Sequence, residues 1–358
     1  VKDIGVIART SVLAYKNTEK SIKEIGRELG ADHILEGTVR WSRKQDGSSK
    51  VRITPQLIKV SDETHIWADI FEEPLEDIFD VQSSIAMAIL GELDVALKKQ
   101  ELDAIEDRPT DNLEAYDYFL QGMDYYSRGN DFDTQEMAIE NFSKAVELDS
   151  TYAKAHAWLS IAYAAHYWQQ GGIFQMRGID SEPIMENARL EAETALRLDS
   201  NLSDAYLAYA NYIVKQSGDN ELALQYAMSA NELEPNNPSV LMMLGGRMRS
   251  MGRWDEGLKY MQKAIELDPR SSLKLFSLLG TYMNMREFEK AKQIYRRMCL
   301  LETGECLSMR ELIIKMHLGE ETQEYARKLK ESEASEEYPR RLFYFMYWDH
   351  AIFRMYYD

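Results

Sequence analysis

Four stretches of the chain are variants of one string. Residues 257–269 read GLKYMQKAIELDP, 138–150 AIENFSKAVELDS, 188–200 ARLEAETALRLDS and 223–235 ALQYAMSANELEP. Small residues open the unit at Ala138, Ala188, Ala223, Gly257 and Ala291. Seven positions later stand Ala145, Ala195, Ala230, Ala264 and Met298. From Ala223 through Gly257 to Ala291 the spacing is 34 residues each time. The stretches ahead of these hold the same register, with Leu244, Gly245 and Met248 in one unit and Leu278, Leu279 and Tyr282 in the next. The pattern predicts pairs of antiparallel helices, with small side chains where two backbones press together. Asp-Pro or Glu-Pro ends the second helix of a pair, because proline cannot continue it. One pair cannot bury its own apolar stripe, so neighbouring pairs must stack and share a core. Units start near 115, 153, 203, 238 and 272, with a degenerate sixth from about 306.

A helix–turn–helix period of this length and pattern resembles the tetratricopeptide repeat (TPR) over about 115–305. The resemblance implies a superhelix whose first helices line a groove for protein or peptide partners. Carried onto this chain, the groove positions are Tyr116, Phe119, Met123 and Tyr126 in the first unit and Lys154 and Ile161 in the second. They are Leu207, Asn211 and Lys215 in the third, Met242, Gly246 and Arg249 in the fourth, and Leu273, Phe276 and Met283 in the fifth. Such a Met- and aromatic-rich surface suits an amphipathic helix or extended peptide. A share of these positions instead reads as core between repeats. Some TPR proteins clamp a terminal carboxylate with Lys and Asn, but Leu207 and Met242 stand where such clamps need polar donors. Two units carry insertions, at SRGNDFDTQEM (127–137) and HYWQQGGIFQMRGIDSEP (166–183); the longer one brings Tyr167, Trp168 and Phe174. It reads either as a place where partners dock or as a longer helix pair with a surface turn.

Residues 1–100 have a different period. VIARTSVL alternates as a strand would. Ser21 to Glu24 has capping-box spacing, and a stripe of Ile22, Ile25 and Leu29 stops at Gly30. HILEGTVRWSR, KVRITPQLIKV and HIWADIF then read as three strands joined by short turns. Pro55 marks an edge or a bulge, since it has no N–H to donate. LEDIFDVQSSIAMAILGELDVALKK is helical, with Ile78, Ile85, Ile89 and Leu93 on one face. The expected fold is therefore α+β: a small α/β sheet domain, β-α-β-β-β-α and truncated at its start, followed by an all-α superhelix. The expected units are 1–100 for the sheet domain, 101–113 for a charged linker, 114–335 for the repeats and 336–358 for an aromatic C-terminal capping helix.

The blocks VIARTSVLAYKN, IGRELGADHILEGTVR, VRITPQLIKVSDETHIWAD and LEDIFDVQSSIA, in that order, resemble the TolB-like amino-terminal domain of bacterial signalling proteins. Glu36 and Gly37 in LEGTV belong to that likeness, with Gly37 read as a packing position. The resemblance implies a strand and a helix ahead of VIARTSV. It implies an output domain upstream (cyclase, kinase or DNA-binding) and in many members a membrane span. It places these portions outside the cytoplasm, in the periplasm; a cytoplasmic location is the alternative.

Net charge is −18, from 42 basic and 60 acidic residues, which disfavours nucleic acid and anionic membrane surfaces as partners. No nucleotide-binding, hydrolase or zinc-protease motif occurs, and the six histidines are scattered. The expectation is a non-enzymatic module with no metal or cofactor. Cys299 and Cys306 read either as a pair across a helix–helix turn, suggesting an oxidising compartment, or as two free thiols. The aromatic run YPRRLFYFMYWDHAIFRMYYD (338–358) reads as a cap on the last repeat or as a homodimer contact.

Overall fold

The computed structural model describes residues 3–43, 49–74, 77–128, 131–177, 180–302, 309–320 and 327. Its fold is α+β, with a small antiparallel sheet and its helices preceding an array of helix pairs. The predicted C-terminal helix, 336–358, lies outside the described residues.

The sheet domain opens with α1 (Arg9–Val12), a 3₁₀ turn (Leu13–Tyr15) and α2 (Ile22–Leu29). Ser21 and Glu24 form the capping box, and Gly30 closes the helix at φ 67°. Four strands follow: β1 (His33–Arg43), β2 (Ser49–Lys59), β3 (Thr64–Ala68) and β4 (Phe71–Pro74). β2 is central. It pairs with β1 along one side and, on the other, with β4 over 50–53 and β3 over 56–59. Pro55 sits where the second partner changes, so its missing N–H costs the ladder nothing. Opposite it, Gly37 has no room for a Cβ, which would stand 2.7 Å from the Thr54 carbonyl oxygen and 3.0 Å from the Pro55 Cα.

The opening segment is not the strand its alternation predicts. Residues 4–8 are irregular and 9–15 helical. The physical reason is where its polar groups go. The Ala8 N–H donates to the Leu267 carbonyl at 2.8 Å, and Asn236 Nδ2 donates to the Ile4 carbonyl at 2.9 Å. These groups are satisfied by the helix array rather than by a neighbouring strand.

α3 (Ile78–Glu92) buries Phe79, Val81 and Leu90; the predicted stripe of Ile78, Ile85, Ile89 and Leu93 is only half-buried. The stretch read as a linker is largely α4 (Lys99–Glu106), tied to α3 by the Ser83 hydroxyl donating to the Ile105 carbonyl at 2.6 Å.

The pairs are α5 (Leu113–Arg128) with α6 (Phe132–Leu148), α7 (Ala153–Arg177) with α8 (Glu182–Leu198), and α9 (Ser203–Gln216) with α10 (Asn220–Leu233). Next come α11 (Pro238–Ser250) with α12 (Trp254–Leu267), and α13 (Ser272–Asn284) with α14 (Phe288–Glu302); α15 (Met309–His317) follows. Four second helices end alike. The N–H of Asp149, Asp199, Glu234 and Asp268 donates to the carbonyl of the alanine four positions earlier, at 2.9 to 3.0 Å. Ala138, Ala188, Ala223 and Ala291 are fully buried between paired helices. α11 and α12 approach most closely at two glycines: a Cβ on Gly245 would lie 2.7 Å from the Gly257 carbonyl, and one on Gly257 2.7 Å from that of Gly245. The insertion at 166–183 lengthens α7 to 25 residues.

Candidate functional site

First helices pack on first helices: α7 lies on α9, and α11 on α13. Between these two pairs α11 packs on α10. The predicted groove residues divide into three groups.

Phe119, Ile161 and Leu207 are core, at 5%, 6% and 3% exposure. Phe119 is wedged between Phe142 and Tyr152, with ring centroids 5.7 and 5.2 Å away. These three hold repeats together and are unavailable to a partner, which corrects the sequence reading. A helix stripe carries both surfaces at adjacent positions, and spacing alone does not divide them.

A second group is partly buried and engaged within the chain. Tyr116 meets Phe79 of α3 edge-on at 4.8 Å, joining array to sheet domain. Tyr126 packs edge-on against Trp158 at 5.4 Å, and burial pushes its hydroxyl up to about 12. Asn211 Nδ2 donates to the Leu207 carbonyl at 2.9 Å. Lys154 stands 3.7 Å from Asp204, which also accepts from the Trp158 indole N–H at 3.1 Å; the Asp204 charge raises the lysine's pKa. Met123 packs on the core of the first two pairs, and Met242 and Met283 on the core around α13. Phe276 is half-buried on α13.

The third group is the other two predicted cations, Lys215 and Arg249, and the structure brings them together with one that sequence reading missed. The Lys215 ammonium lies 4.0 Å over the Trp168 ring. Arg247 donates to the Asn220 side-chain oxygen at 2.7 Å, and Arg249 to the Ser277 carbonyl at 3.3 Å and Thr281 Oγ1 at 2.9 Å. Burial, then the charge of Arg247, pushes Lys215 down to about 8. Burial, then Arg249, lowers Arg247, and burial lowers Arg249. Arg247 could have been found from charge alone: in a chain with net charge −18, LGGRMRS places two arginines on the last turns of a first helix.

The opposite ends of α11 and α13 meet the opening segment of the sheet domain. Asp268, 1% exposed, accepts from Thr10 Oγ1 at 2.7 Å and Ser11 Oγ at 2.6 Å, and pairs with Lys274 at 2.9 Å. The Arg270 N–H donates back to Ser11 Oγ at 2.9 Å, and its guanidinium lies 5.4 Å over the Tyr15 ring. At the matching position of the first pair, Asp149 accepts from Thr110 at 2.5 Å. Two repeat-ending acids thus serve as docking points for segments outside the array.

Among the described residues no group of three or more His, Cys, Asp or Glu side chains could hold a metal ion, and no helix is long and apolar enough to cross a membrane. An open depression of about 840 Å³ lies where Arg108–Glu114 meets Leu148–Thr151; its carboxylates are those of Asp111, Glu114 and Asp149. Cys299, 7% exposed on α14, is disulfide-bonded; Cys306 lies outside the described residues.

No protein-family model matches the chain. A stretch of 161 residues, 45% of the chain, is 35% identical to "Putative adenylate cyclase 3" of Rhizobium meliloti strain 1021; it spans 26% of that protein's length. Among solved structures, PilF of Pseudomonas aeruginosa is 21% identical, with a TM-score of 0.42 over 68% of this chain and 97% of that one. A thermophilic TPR protein of Thermus thermophilus is 14% identical, with a TM-score of 0.43 over 57% and 98%. The helical part is a tetratricopeptide-type array on its own features: the 34-residue register, the paired helices and the small residues between them.

Proposed function

We propose that this chain is a protein-interaction module, in which the first-helix face of the TPR array binds a protein or peptide and the sheet domain conveys the bound state to an output domain of a longer protein. The observation that carries this reading is that one helix reaches both sites. Asn236, just ahead of α11, holds the Ile4 carbonyl, and Arg247 and Arg249 end the same helix on the opposite side. About 17 Å of continuous helix joins them. A ligand that moves the end of α11 therefore acts on the segment docked at its start.

The first domain is read as TolB-like; the four sequence blocks and the tight Gly37–Pro55 pairing support that. Partial identity to a protein named as an adenylate cyclase makes a cyclase the output domain to test first. The matched stretch spans a quarter of that protein, and catalysis is assigned to the output domain rather than to the residues described here. An extracytoplasmic setting is part of the proposal, supported by the disulfide at Cys299.

The test is a binding screen of the purified chain against peptide arrays, followed by cross-linking of the hits. Cross-links on α9, α11 and α13 support the reading; cross-links confined to second helices, or no binding at all, refute it.

Homo-oligomerisation is the second reading, favoured by β1. Among the described residues it pairs on one side only, and Leu35 and Val39 stand 49% and 53% exposed. Light scattering of the chain and of a Val39→Lys variant tests it: a dimer that dissolves in the variant supports assembly through that edge.

A further inference from the structure

Several cations elsewhere in the array sit against carboxylates. Lys154 faces Asp204, Lys274 faces Asp268, Arg189 binds Glu186 and Glu193, and Arg253 binds Glu256. Lys263 and Arg297 donate instead to the Pro235 and Pro269 carbonyls. Lys215, Arg247 and Arg249 also lack a carboxylate partner among the described residues, and they are three such cations together. Their partners among the described residues are an indole ring, an amide oxygen, a carbonyl and a hydroxyl, all uncharged. Among the described residues, the buried Nε of Arg247 has no hydrogen-bond partner. Three half-buried like charges with neutral neighbours repel one another and have given up hydration with no counter-charge among the described residues. An anion placed among them would relieve both costs and would meet the unused Nε–H donor.

The surroundings specify what kind of anion. Trp168 stands 60% exposed beside Lys215, an apolar platform at the edge of the charge. On α11, Met242, Gly246 and Arg249 share one stripe by helical spacing. Gly246 is itself buried, yet a Cβ added to it would meet nothing within 4 Å among the described residues, which leaves room for a side chain one turn from Arg249. A small free anion needs neither feature. A peptide uses both: room for a side chain next to the charges, and apolar surface for flanking side chains.

We propose that Lys215, Arg247 and Arg249 form a subsite for the carboxylate side chains of an acidic, apolar-flanked peptide segment laid across the ends of α9, α11 and α13. This rests on the interaction-module reading above and names the chemistry of its partner. Recognition is of internal Asp or Glu side chains, so a peptide with a blocked C-terminus binds.

The test uses fluorescein-labelled, C-terminally amidated 12-residue peptides of alternating Glu and Leu, their Gln–Leu counterparts, and inorganic phosphate as competitor. Binding is read by fluorescence anisotropy against the whole chain, Lys215→Glu, Gly246→Leu, and Lys144→Glu as a control for net charge. Thermal melts confirm that each variant folds. If a variant does not fold, the comparison of Glu with Gln peptide on the unaltered chain, at about 0.05 and 0.4 M salt, decides. The expected result is tighter binding of the Glu peptide. Lys215→Glu weakens it about tenfold or more, as for lost hydrogen bonds to a charged group. Gly246→Leu weakens both peptides, and Lys144→Glu changes neither. Equal, salt-independent binding of both peptides overturns the charged subsite while leaving the interaction reading standing. Phosphate binding with no peptide bound overturns the peptide assignment. No binding of any probe overturns this proposal, while hits in the broader peptide screen would still uphold the interaction reading.

Discussion

The Ser11 hydroxyl donates to Asp268 at 2.6 Å, closing a loop of 257 positions between the first helical turn and the end of the fourth repeat. Ser11 is fully buried and Asp268 is 1% exposed. Asp268 also takes the Thr10 hydroxyl and the Lys274 ammonium. A repeat-ending acid whose ordinary work is to cap its own turn thus holds another part of the protein.

Asp268→Ala leaves Lys274 and two hydroxyls without their acceptor. The expected cost is about 3 kcal/mol, the scale of breaking a buried, charge-assisted cluster. Ser11→Ala costs less, about 1 kcal/mol. Urea denaturation measures both. Hydrogen exchange should show Ala8–Lys16 losing protection in Asp268→Ala while α5–α10 keep theirs; uniform loss across the array would contradict the docking role.

Neighbouring glycines on α11 should respond in opposite ways. Gly245→Ala pushes a methyl into the Gly257 carbonyl and the Met261 side chain, so a loss of about 1–3 kcal/mol is expected. Gly246→Ala meets open space in a helix interior and should gain about 0.5–1 kcal/mol. Melting temperatures of the two single variants check the pair.

Stability should fall in acid partly through His166. It is 4% exposed, its Nδ1 lies 3.1 Å from the Gln135 side-chain oxygen, and burial lowers its pKa from 6.5 to about 4. Below about pH 6.5 the unfolded chain takes up a proton that the folded chain refuses until about pH 4. The neutral imidazole's contribution is therefore complete above 6.5 and declines across that window, by up to about 3 kcal/mol. Comparing urea midpoints at pH 7 and 4.5 for the chain and for His166→Gln isolates it; an equal acid loss in both would refute the assignment.

Ligand affinity should fall as pH rises through about 8. Free Lys215 titrates near there because of burial and the facing charge of Arg247 on α11; Trp168 on α7 adds only its ring. A bound carboxylate raises that pKa, so binding takes up a proton around pH 8 and weakens above it. Calorimetry in buffers of different ionisation heat detects the uptake, and Lys215→Gln should abolish it.

The array was legible because its constraint is periodic. Ala138, Ala188, Ala223 and Gly257 recur at fixed spacing since only small side chains fit between the paired helices, and a repeated need leaves a repeated mark. The capping box at Ser21 and Glu24 and the stop at Gly30 were legible because caps are local. What escaped depends on distant partners. VIARTSVL alternates like a strand, yet its polar groups are met by Asn236, Leu267 and Asp268, and nothing within the segment announces them. Phe119 and Met123 lie one turn apart on one stripe, but only the position of Phe142 and Tyr152 makes the first a core residue. Spacing does not single out Arg247, because its significance lies in its neighbours, Lys215 on another helix and Arg249 two residues on.

The central claim is that the first-helix face is the binding surface. Photo-cross-linking a bound peptide that carries benzoylphenylalanine, followed by mass spectrometry, tests it directly. Methionine side chains are ready targets, and Met242 on α11 and Met283 on α13 are half-buried first-helix positions. The account predicts adducts at Met242, Met283 and Trp168; adducts confined to Met137, Met228 or other second-helix positions would contradict it.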